Sequence, residues 1–303
     1  MREYLLNVDE DMENERIDKF VTNVLADFSR SYIQKIIESG DLTVNNKLIK
    51  PSYKVRKKDI ILVRTDSVIP DITPEDIPLD ILYEDNDILV VNKPKGMVVH
   101  PAPGHYEHTL VNAVMFHCRH NLSGINGVMR PGIVHRIDKD TTGSLIICKN
   151  DRAHECIADQ LEKHSIKREY LAMVTGVIEI NGTVDKPIGR SASDRKKMCV
   201  TPGGKRAVTH YEVVKNFDKF TLIRCRLETG RTHQIRVHMA SIGHPVAGDN
   251  VYGNGTKTPV ETYGQALHAY LIGFVHPTTG EYIELTAPLP EYLNLFIKLC
   301  EKV

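Results

Sequence analysis

The stretch DSVIPDITPEDIPL, residues 66–79, limits what this chain can fold into more than any other segment. Its prolines at 70, 74 and 78 lack a backbone N–H, and each steers the residue before it away from helical geometry. With acidic residues between them, these prolines exclude a helix or a central strand, and the stretch reads as a linker. The chain is therefore expected to form two independently organised parts, a small one over 1–68 with its core in 16–64, and a larger one over 79–303, joined by 69–78. A length of 303 residues with 41% hydrophobic content supports a core in both. No window approaches the ~18 apolar residues that a membrane span needs. The acidic start MREYLLNVDEDMENER lacks the basic and apolar regions of a signal peptide. Six scattered cysteines without a C-x-x-C pair argue against a disulfide framework and a zinc site. A cytoplasmic location is the expectation.

In the small part, Ile17, Phe20, Val21, Val24, Leu25 and Phe28 recur at helical spacing. Ser29 offers an N-cap for a second helix that carries Ile33, Ile36 and Ile37 on one face and stops at Gly40. LTVNNKLI then reads as a hairpin, because Asn45 and Asn46 tolerate the left-handed backbone of a tight turn. KKDIILV follows as a strand. The larger part is strand-rich: DILVVNK, SLIICKN, EYLAMVTGVIEI, VTHYEVVKNF, FTLIRCRLE and EYIELTAP carry the β-branched and aromatic residues of strands. The helical candidates are LVNAVMFHC, AHECIADQLEKH, HQIRVHMASIG and LPEYLNLFIKLCE. Strands outnumber helices and do not alternate with them, so the expected class is α+β with a mixed or antiparallel sheet. Neither G-x-G-x-x-G nor a P-loop sequence occurs, and no nucleotide cofactor is implied.

The net charge is zero, but the charge is segregated. Residues 50–64 carry Lys50, Lys54, Arg56, Lys57, Lys58 and Arg64 against Asp59 alone. Residues 189–206 carry Arg190, Arg195, Lys196, Lys197, Lys205 and Arg206 against Asp194 alone. Such patches are either solvated loops or the footprint of a polyanion.

Three segments can carry chemistry. In VHRIDKDTTG, Arg136 and Asp138 occupy positions i and i+2 of what reads as a strand entering a Thr-Thr-Gly turn, so their side chains would share a face. A surface ion pair and a reactive carboxylate with an attendant arginine are the two readings. His135 admits a hydrolase, but no G-x-S-x-G elbow exists for it to serve. A metal held by His135, Asp138 and Asp140 lacks a supporting histidine cluster, and no metal is expected. In KREYLAMVTG, Tyr170 shares a strand face with Ala172 and Val174; it is a core tyrosine or a platform for an unpaired base. In LETGRTHQIRVHMASIG, Thr232 can cap a helix that turns Ile235, Met239 and Ile242 inward. Arg231, His233 and Arg236 then sit at its start, where cations oppose the macrodipole. Pairing with a carboxylate or contact with phosphate would offset that cost.

These segments, in this order, resemble known families. Residues 16–64 are similar to an S4-type RNA-binding domain, through Arg16–Asp18, Ser29–Arg30, Gly40 and the Leu42–Asn46 hairpin signature. That resemblance implies RNA contacts from Arg30, Gln34, Lys35, Lys47 and Lys50. The larger part resembles the RluA-type pseudouridine synthases, most closely the RluD-like branch, through NKPKGMVVHPAPG, PGIVHRIDKDTTG, KREYLAMVTG, LETGRTHQIRVHMASIGHPVAGDNVYG and LHAYLIGFVHPTTGE. It departs at Ile137, where leucine is usual, and at Ser144. The resemblance implies that Asp138 is the catalytic carboxylate, that Tyr170 lies against the uracil and receives the C5 proton, and that Arg236 pairs with Asp138. Arg136 would fill the gap left by a flipped uridine or hold the RNA open, Ile235 would line the pocket, and Arg231 and His233 would support RNA or site.

The implied reaction detaches uracil at N1 and rejoins it at C5 without a cofactor, after extrusion of the base at a cost of a few kcal/mol. Attack by Asp138 on the ribose C1′ and on the base both remain open. An Arg–Asp contact at ~4 Å is worth about 4 kcal/mol before desolvation at an effective dielectric of ~20. The implied partner is structured RNA, large-subunit ribosomal RNA ahead of tRNA, bound by a monomer. The rival is a non-enzymatic ribosome-assembly factor on the same fold.

Overall fold

The computed structural model describes residues 2–8, 14–25, 28, 30–65, 72–101, 106–119, 121–125, 131–191, 193–194, 197–253 and 255–302. Ser29, read above as an N-cap, lies outside the described residues, as do residues 66–68, residues 69–71 of the linker, and Arg195 and Lys196 of the second basic patch. Apart from Pro131, which groups with the first, the described residues divide between Thr73 and Pro74 into two compact units.

The N-terminal unit is a four-stranded antiparallel sheet with two helices. Strands β1 (Arg2–Asn7), β2 (Leu42–Val44), β3 (Lys47–Leu48) and β4 (Ile60–Thr65) lie in the order β1-β4-β2-β3. Helices α1 (Ile17–Val24) and α2 (Arg30–Glu38) bury Ile17, Phe20, Val21, Ile33, Ile36 and Ile37 against Leu42, Val44, Ile61 and Val63 of the sheet. Asn45 and Asn46 turn the β2–β3 hairpin with φ of 49° and 62°, the left-handed region that asparagine tolerates.

The C-terminal unit is built on one nine-stranded sheet. Its path is β5 (Ile81–Glu84), β6 (Ile88–Lys93), β7 (Thr142–Cys148), β14 (Leu267–Val275), β8 (Lys167–Thr175), β13 (Phe220–Leu227), β12 (Val208–Asn216) and β9 (Gly182–Asp185). Strand β15 (Tyr282–Thr286) also pairs with β14. The β7–β14 pairing is parallel and its neighbours are antiparallel, which makes the sheet mixed, as an α+β domain allows. A small hairpin, β10 (Ile188–Arg190) with β11 (Met198–Val200), stands apart. Helices α3 (Leu110–Cys118), α4 (Asp151–Glu162), α5 (Gln234–Ser241) and α6 (Glu291–Cys300) complete the unit. Helix α4 packs on β6, β7 and β14 through Ala153 and Ile157; α5 and α6 pack on β8, β13 and β14 through Ile235, Met239, Leu293 and Phe296.

Local readings of the sequence need four corrections. Residues 134–138 form no strand; Ile133 makes a single bridge to Ile147 and irregular chain follows. The turn is closed by the Thr141 N–H on the Asp138 carbonyl at 3.0 Å, and Thr142 and Gly143 already belong to β7. Gly143 is required there: at φ 113°, a Cβ would meet the Ala269 backbone of the parallel strand at 2.3 Å. The strand read through VIEI ends at Thr175, where Gly176 turns at φ 80°. Finally, α5 is not capped by Thr232. His233 precedes it in the left-handed region, φ 56° and ψ 21°, without a side-chain cap, and the Gln234 amide oxygen instead accepts the Arg231 N–H at 3.0 Å.

Candidate active site

Five elements of the C-terminal unit meet at one cleft. The loop before β7 contributes Arg136 and Asp138, β8 contributes Tyr170, the start of α5 contributes His233, Ile235 and Arg236, and Leu227 and Leu267 come from the ends of β13 and β14. Ile137, Leu227, Ile235 and Leu267 are each at most 9% exposed and form the apolar part of a wall that holds one carboxylate.

Asp138 keeps 19% of its side chain exposed. Its Oδ2 accepts from Arg236 Nη1 at 2.8 Å, across 98 residues of sequence. His233 Nε2 lies 3.9 Å from the other oxygen. Arg236 is itself held from behind: Nε and Nη2 donate to Asp249 at 2.6 and 2.9 Å, a bidentate pair that fixes the guanidinium plane. Asp249 also accepts the Val251 and Tyr252 N–H groups at 2.8 and 3.0 Å. Burial would lower the Arg236 pKa, but Asp249 and Asp138 outweigh it and hold it above the usual arginine value. Burial would likewise raise Asp249, and its bonds from Arg236 hold it below the carboxylate range. The result is a fixed cation with one donor left for Asp138. Sequence reasoning missed Asp249; its signal was the lone carboxylate of HPVAGDNVYG.

His233 is tied to Tyr252, Nδ1 to hydroxyl at 2.8 Å, and the same hydroxyl accepts the Met198 N–H at 2.9 Å. In the tautomer where the tyrosine hydroxyl donates to Nδ1, the imidazole proton sits on Nε2, toward Asp138. Burial lowers the His233 pKa, only partly opposed by Asp138, so the ring is neutral at pH 7. Its left-handed backbone is the local strain that sets this orientation. Tyr170 takes no hydrogen-bond partner among the described residues, and burial raises its phenol pKa. Arg136 is exposed and forms no hydrogen bond or ion pair among the described residues. Arg231 bonds the Arg206 carbonyl through Nε at 3.0 Å and borders the same cleft.

A second missed residue is Lys93. Fully buried, its ammonium donates to the carbonyls of Pro94, Met97 and Lys139 at 2.8, 2.9 and 3.0 Å. The Lys139 carbonyl also accepts the Gly96 N–H at 3.0 Å, so the residue after Asp138 is clamped twice. Burial pulls Lys93 down to about 7, but three carbonyls match the three protons of the charged form.

In the N-terminal unit, Arg30 and Gln34 both donate to Asp18, at 3.0 and 2.7 Å, while Lys35, Lys47 and Lys50 are exposed, their side chains without hydrogen bonds among the described residues. Among the described residues, Asp85, Asp87 and His276 bring possible metal ligands within 4.8 Å of one another. His276 is already committed: Nδ1 accepts the Thr278 and Thr279 N–H groups, and Nε2 donates to Asp85 at 2.7 Å.

Known proteins bear on this geometry. Residues 87–241 match the RNA pseudouridylate synthase family, and residues 15–61 match the S4 domain. The chain is 52% identical to an uncharacterised RNA pseudouridine synthase, YlyB, of Bacillus subtilis, over 100% of this chain and 99% of the relative. It is 45% identical to ribosomal large subunit pseudouridine synthase D of Zymomonas mobilis, over 96% of this chain and 95% of that protein. The fold is shared with human RNA pseudouridylate synthase domain containing 4, at a TM-score of 0.57 and 24% identity, over 73% of this chain and 92% of that one. The chain thus belongs to the RNA pseudouridylate synthase family and carries an S4 domain ahead of its synthase domain.

Proposed function

We propose that this pseudouridine synthase acts on large-subunit ribosomal RNA in the cytoplasm, as a monomer, with Asp138 as its reactive carboxylate. The Asp138–Arg236 contact at 2.8 Å, backed by Asp249, is the observation that carries the reading. The target class is supported by relatives such as the Zymomonas mobilis protein, 45% identical and named for the ribosomal large subunit. No helix among the described residues is long and apolar enough to cross a membrane.

In the proposed reaction the uridine leaves its stack and enters the cleft, where Ile137, Ile235 and Leu267 replace water around the base. Asp138 bonds transiently to C1′ or to the base, the N1–C1′ bond breaks, C5 takes the place of N1 on C1′, and the bond to Asp138 breaks to return the free carboxylate. The C5 proton leaves, N1 gains a proton, and the product is an isomer that needs no redox partner. Arg236 keeps the carboxylate oriented. Tyr170 supports the ring; because burial raises its phenol, it holds its own proton at pH 7 and can accept another only in concert with release. Arg136 is free to fill the gap in the RNA stack. His233 and Arg231 complete the RNA-facing rim.

The S4 domain, within 1–68, would hold RNA through Lys35, Lys47 and Lys50, with Arg30 and Gln34 shaping that surface from their anchorage on Asp18; 69–78 would be the linker and 79–303 the synthase domain. Carbodiimide-stop primer extension on ribosomal RNA and tRNA from cells with and without the protein tests the reading. It expects a stop in large-subunit RNA that is lost without the protein and is not restored by Asp138→Asn. A stop restored by that variant would favour an assembly factor over this catalytic assignment.

A further inference from the structure

The wall of the cleft beside Asp138 holds a second, unexplained cation. Arg168 precedes Tyr170 by two residues on β8, so both side chains leave the same face of the sheet. It is only 8% exposed, yet among the described residues its Nε and Nη2 are covered without a hydrogen-bond partner and it forms no ion pair. Its neighbour Glu169 faces the other way, toward Lys167 and Arg224. A buried guanidinium without a counter-charge is costly to keep. Its surroundings are not built to neutralise it. Arg168 lines a cleft with His135, Arg136, Arg231 and His233, a wall with more basic groups than acidic ones, which is continuous with the Asp138 site. His135 Nε2 accepts the Ile146 N–H at 3.0 Å, which leaves its proton on Nδ1, for which the described residues offer no acceptor. Gly230 lies against it: a Cβ there would be 2.8 Å from Arg168 Nη1, so a side chain at 230 would make the guanidinium shift.

We propose that Arg168, with the imidazole N–H of His135, forms a phosphate subsite that grips the backbone phosphate of the nucleotide whose base faces Asp138. The assignment rests on the synthase reading for the identity of that nucleotide. A planar guanidinium suits a phosphate through paired N–H donors. Burial of the donors ahead of binding spares the ordering cost that an exposed arginine would incur on meeting RNA.

The test uses the full chain and four probes: uridine, uridine 3′-monophosphate, uridine 5′-monophosphate and inorganic phosphate, titrated by NMR. For the wild type, one monophosphate should bind at least about tenfold more tightly than uridine. Arg168→Met should remove that preference, Arg168→Lys should keep part of it, and Gly230→Ala, which displaces the guanidinium without replacing it, should weaken it. The melting temperature of ligand-free Arg168→Met should not fall below that of the wild type, since an uncompensated buried charge has been removed. Equal phosphate preference in the wild type and Arg168→Met would overturn the subsite, as would a lower melting temperature for Arg168→Met with the preference unchanged. Should Arg168→Met fail to fold, an unchanged preference in both Arg168→Lys and Gly230→Ala overturns it equally. Pseudouridine formation by the wild type on a ribosomal RNA transcript is scored separately, so failure of the synthase reading and failure of the subsite give different results.

Discussion

The tripeptide Arg-Ile-Asp occurs in each unit, at Arg16–Asp18 and at Arg136–Asp138, and the two copies end in opposite states. In both, the isoleucine is buried, at 0% and 5% exposure, and anchors the chain. In the N-terminal copy the aspartate lies in the first turn of α1, which suits a carboxylate. Arg16 reaches it through Nε and Nη2, both at 3.0 Å, and Arg30 and Gln34 add bonds at 3.0 and 2.7 Å. Burial would raise Asp18, but these donors outweigh it and hold it well below the usual carboxylate range. Asp18 has no exposed surface and no spare function. In the C-terminal copy the chain is irregular, Arg136 makes no ion pair among the described residues, and Asp138 takes one strong bond from a distant arginine that gives its other donors to Asp249. A carboxylate surrounded by donors is scaffold. A carboxylate with one fixed donor and an open side is able to react.

The largest expected effect follows from that contrast. Asp138→Asn should lower pseudouridine formation at least ~10³-fold while RNA affinity and melting temperature hold, measured by tritium release from 5-tritiated uridine RNA. Asp18→Asn should leave the rate constant of the C-terminal unit unchanged. If Asp18→Asn lowers the chemical rate as far as Asp138→Asn does, the division between scaffold and reactive carboxylate fails.

Next in size is the support behind Asp138. Asp249→Asn takes the bidentate partner from Arg236, and Arg236→Lys removes the fork that serves two acids. Each should lower kcat ~10²-fold with KM little changed, since orientation and not RNA contact is lost. Asp18→Ala, by comparison, should cost about 1–3 kcal/mol of N-terminal unit stability, because its donors lose a buried acceptor while Arg16 and Arg30 can regain water. Chemical denaturation followed by hydrogen exchange in α1 and α2 checks it.

The pH response should also separate the units. In the C-terminal unit, burial pulls His135 down to about 3 and His268 to about 4. Between the ordinary histidine value near 6.5 and those values, the unfolded chain binds protons that the folded chain refuses, so stability falls as pH drops through that window. Asp18 behaves differently. Its folded pKa is depressed, so its contribution is complete above the ordinary carboxylate value of ~3.9 and is lost only below it. Hydrogen exchange across pH 7 to 4 should therefore show the C-terminal unit loosening first. An N-terminal unit that opens first would mean that Asp18 is not the clamp its bonds describe.

Sequence made much of this legible, and the limits have physical causes. The four helices of the C-terminal unit and the hairpin over Leu42–Leu48 follow from periodicity and turn chemistry, which are local. The pairing of Arg236 with Asp138 is stated by family resemblance, since nothing local links residues 98 apart. The strand read through Arg136 and Asp138 was wrong because alternation says which face a side chain takes only if the backbone is paired, and 134–138 has no partner strand. Asp249, Lys93 and Arg168 were passed over for a related reason. Their importance lies in partners brought by other elements: a guanidinium, three carbonyls, and, for Arg168, the lack of any acid. Strand β14 was read only as part of a motif; its central position comes from pairing with β7, β8 and β15.

The smallest effect is the sharpest test of the repeated tripeptide. Arg16→Ala removes two bonds to a buried carboxylate, so it should lower the stability of the N-terminal unit. Arg136→Ala removes no intramolecular bond among the described residues, so the melting temperature should not move. If Arg136 faces RNA, its loss should instead weaken RNA binding roughly 3–10-fold and reduce the salt slope of log K by about one ion. Arg136→Lys should restore the salt slope but not the full affinity if the planar guanidinium stacks between bases, because an ammonium carries the charge without the flat face. Binding isotherms at several salt concentrations for these variants decide between the two uses of one motif. A stability loss in Arg136→Ala with unchanged RNA binding would make the second copy a scaffold pair like the first, and leave the open side of Asp138 without its guard.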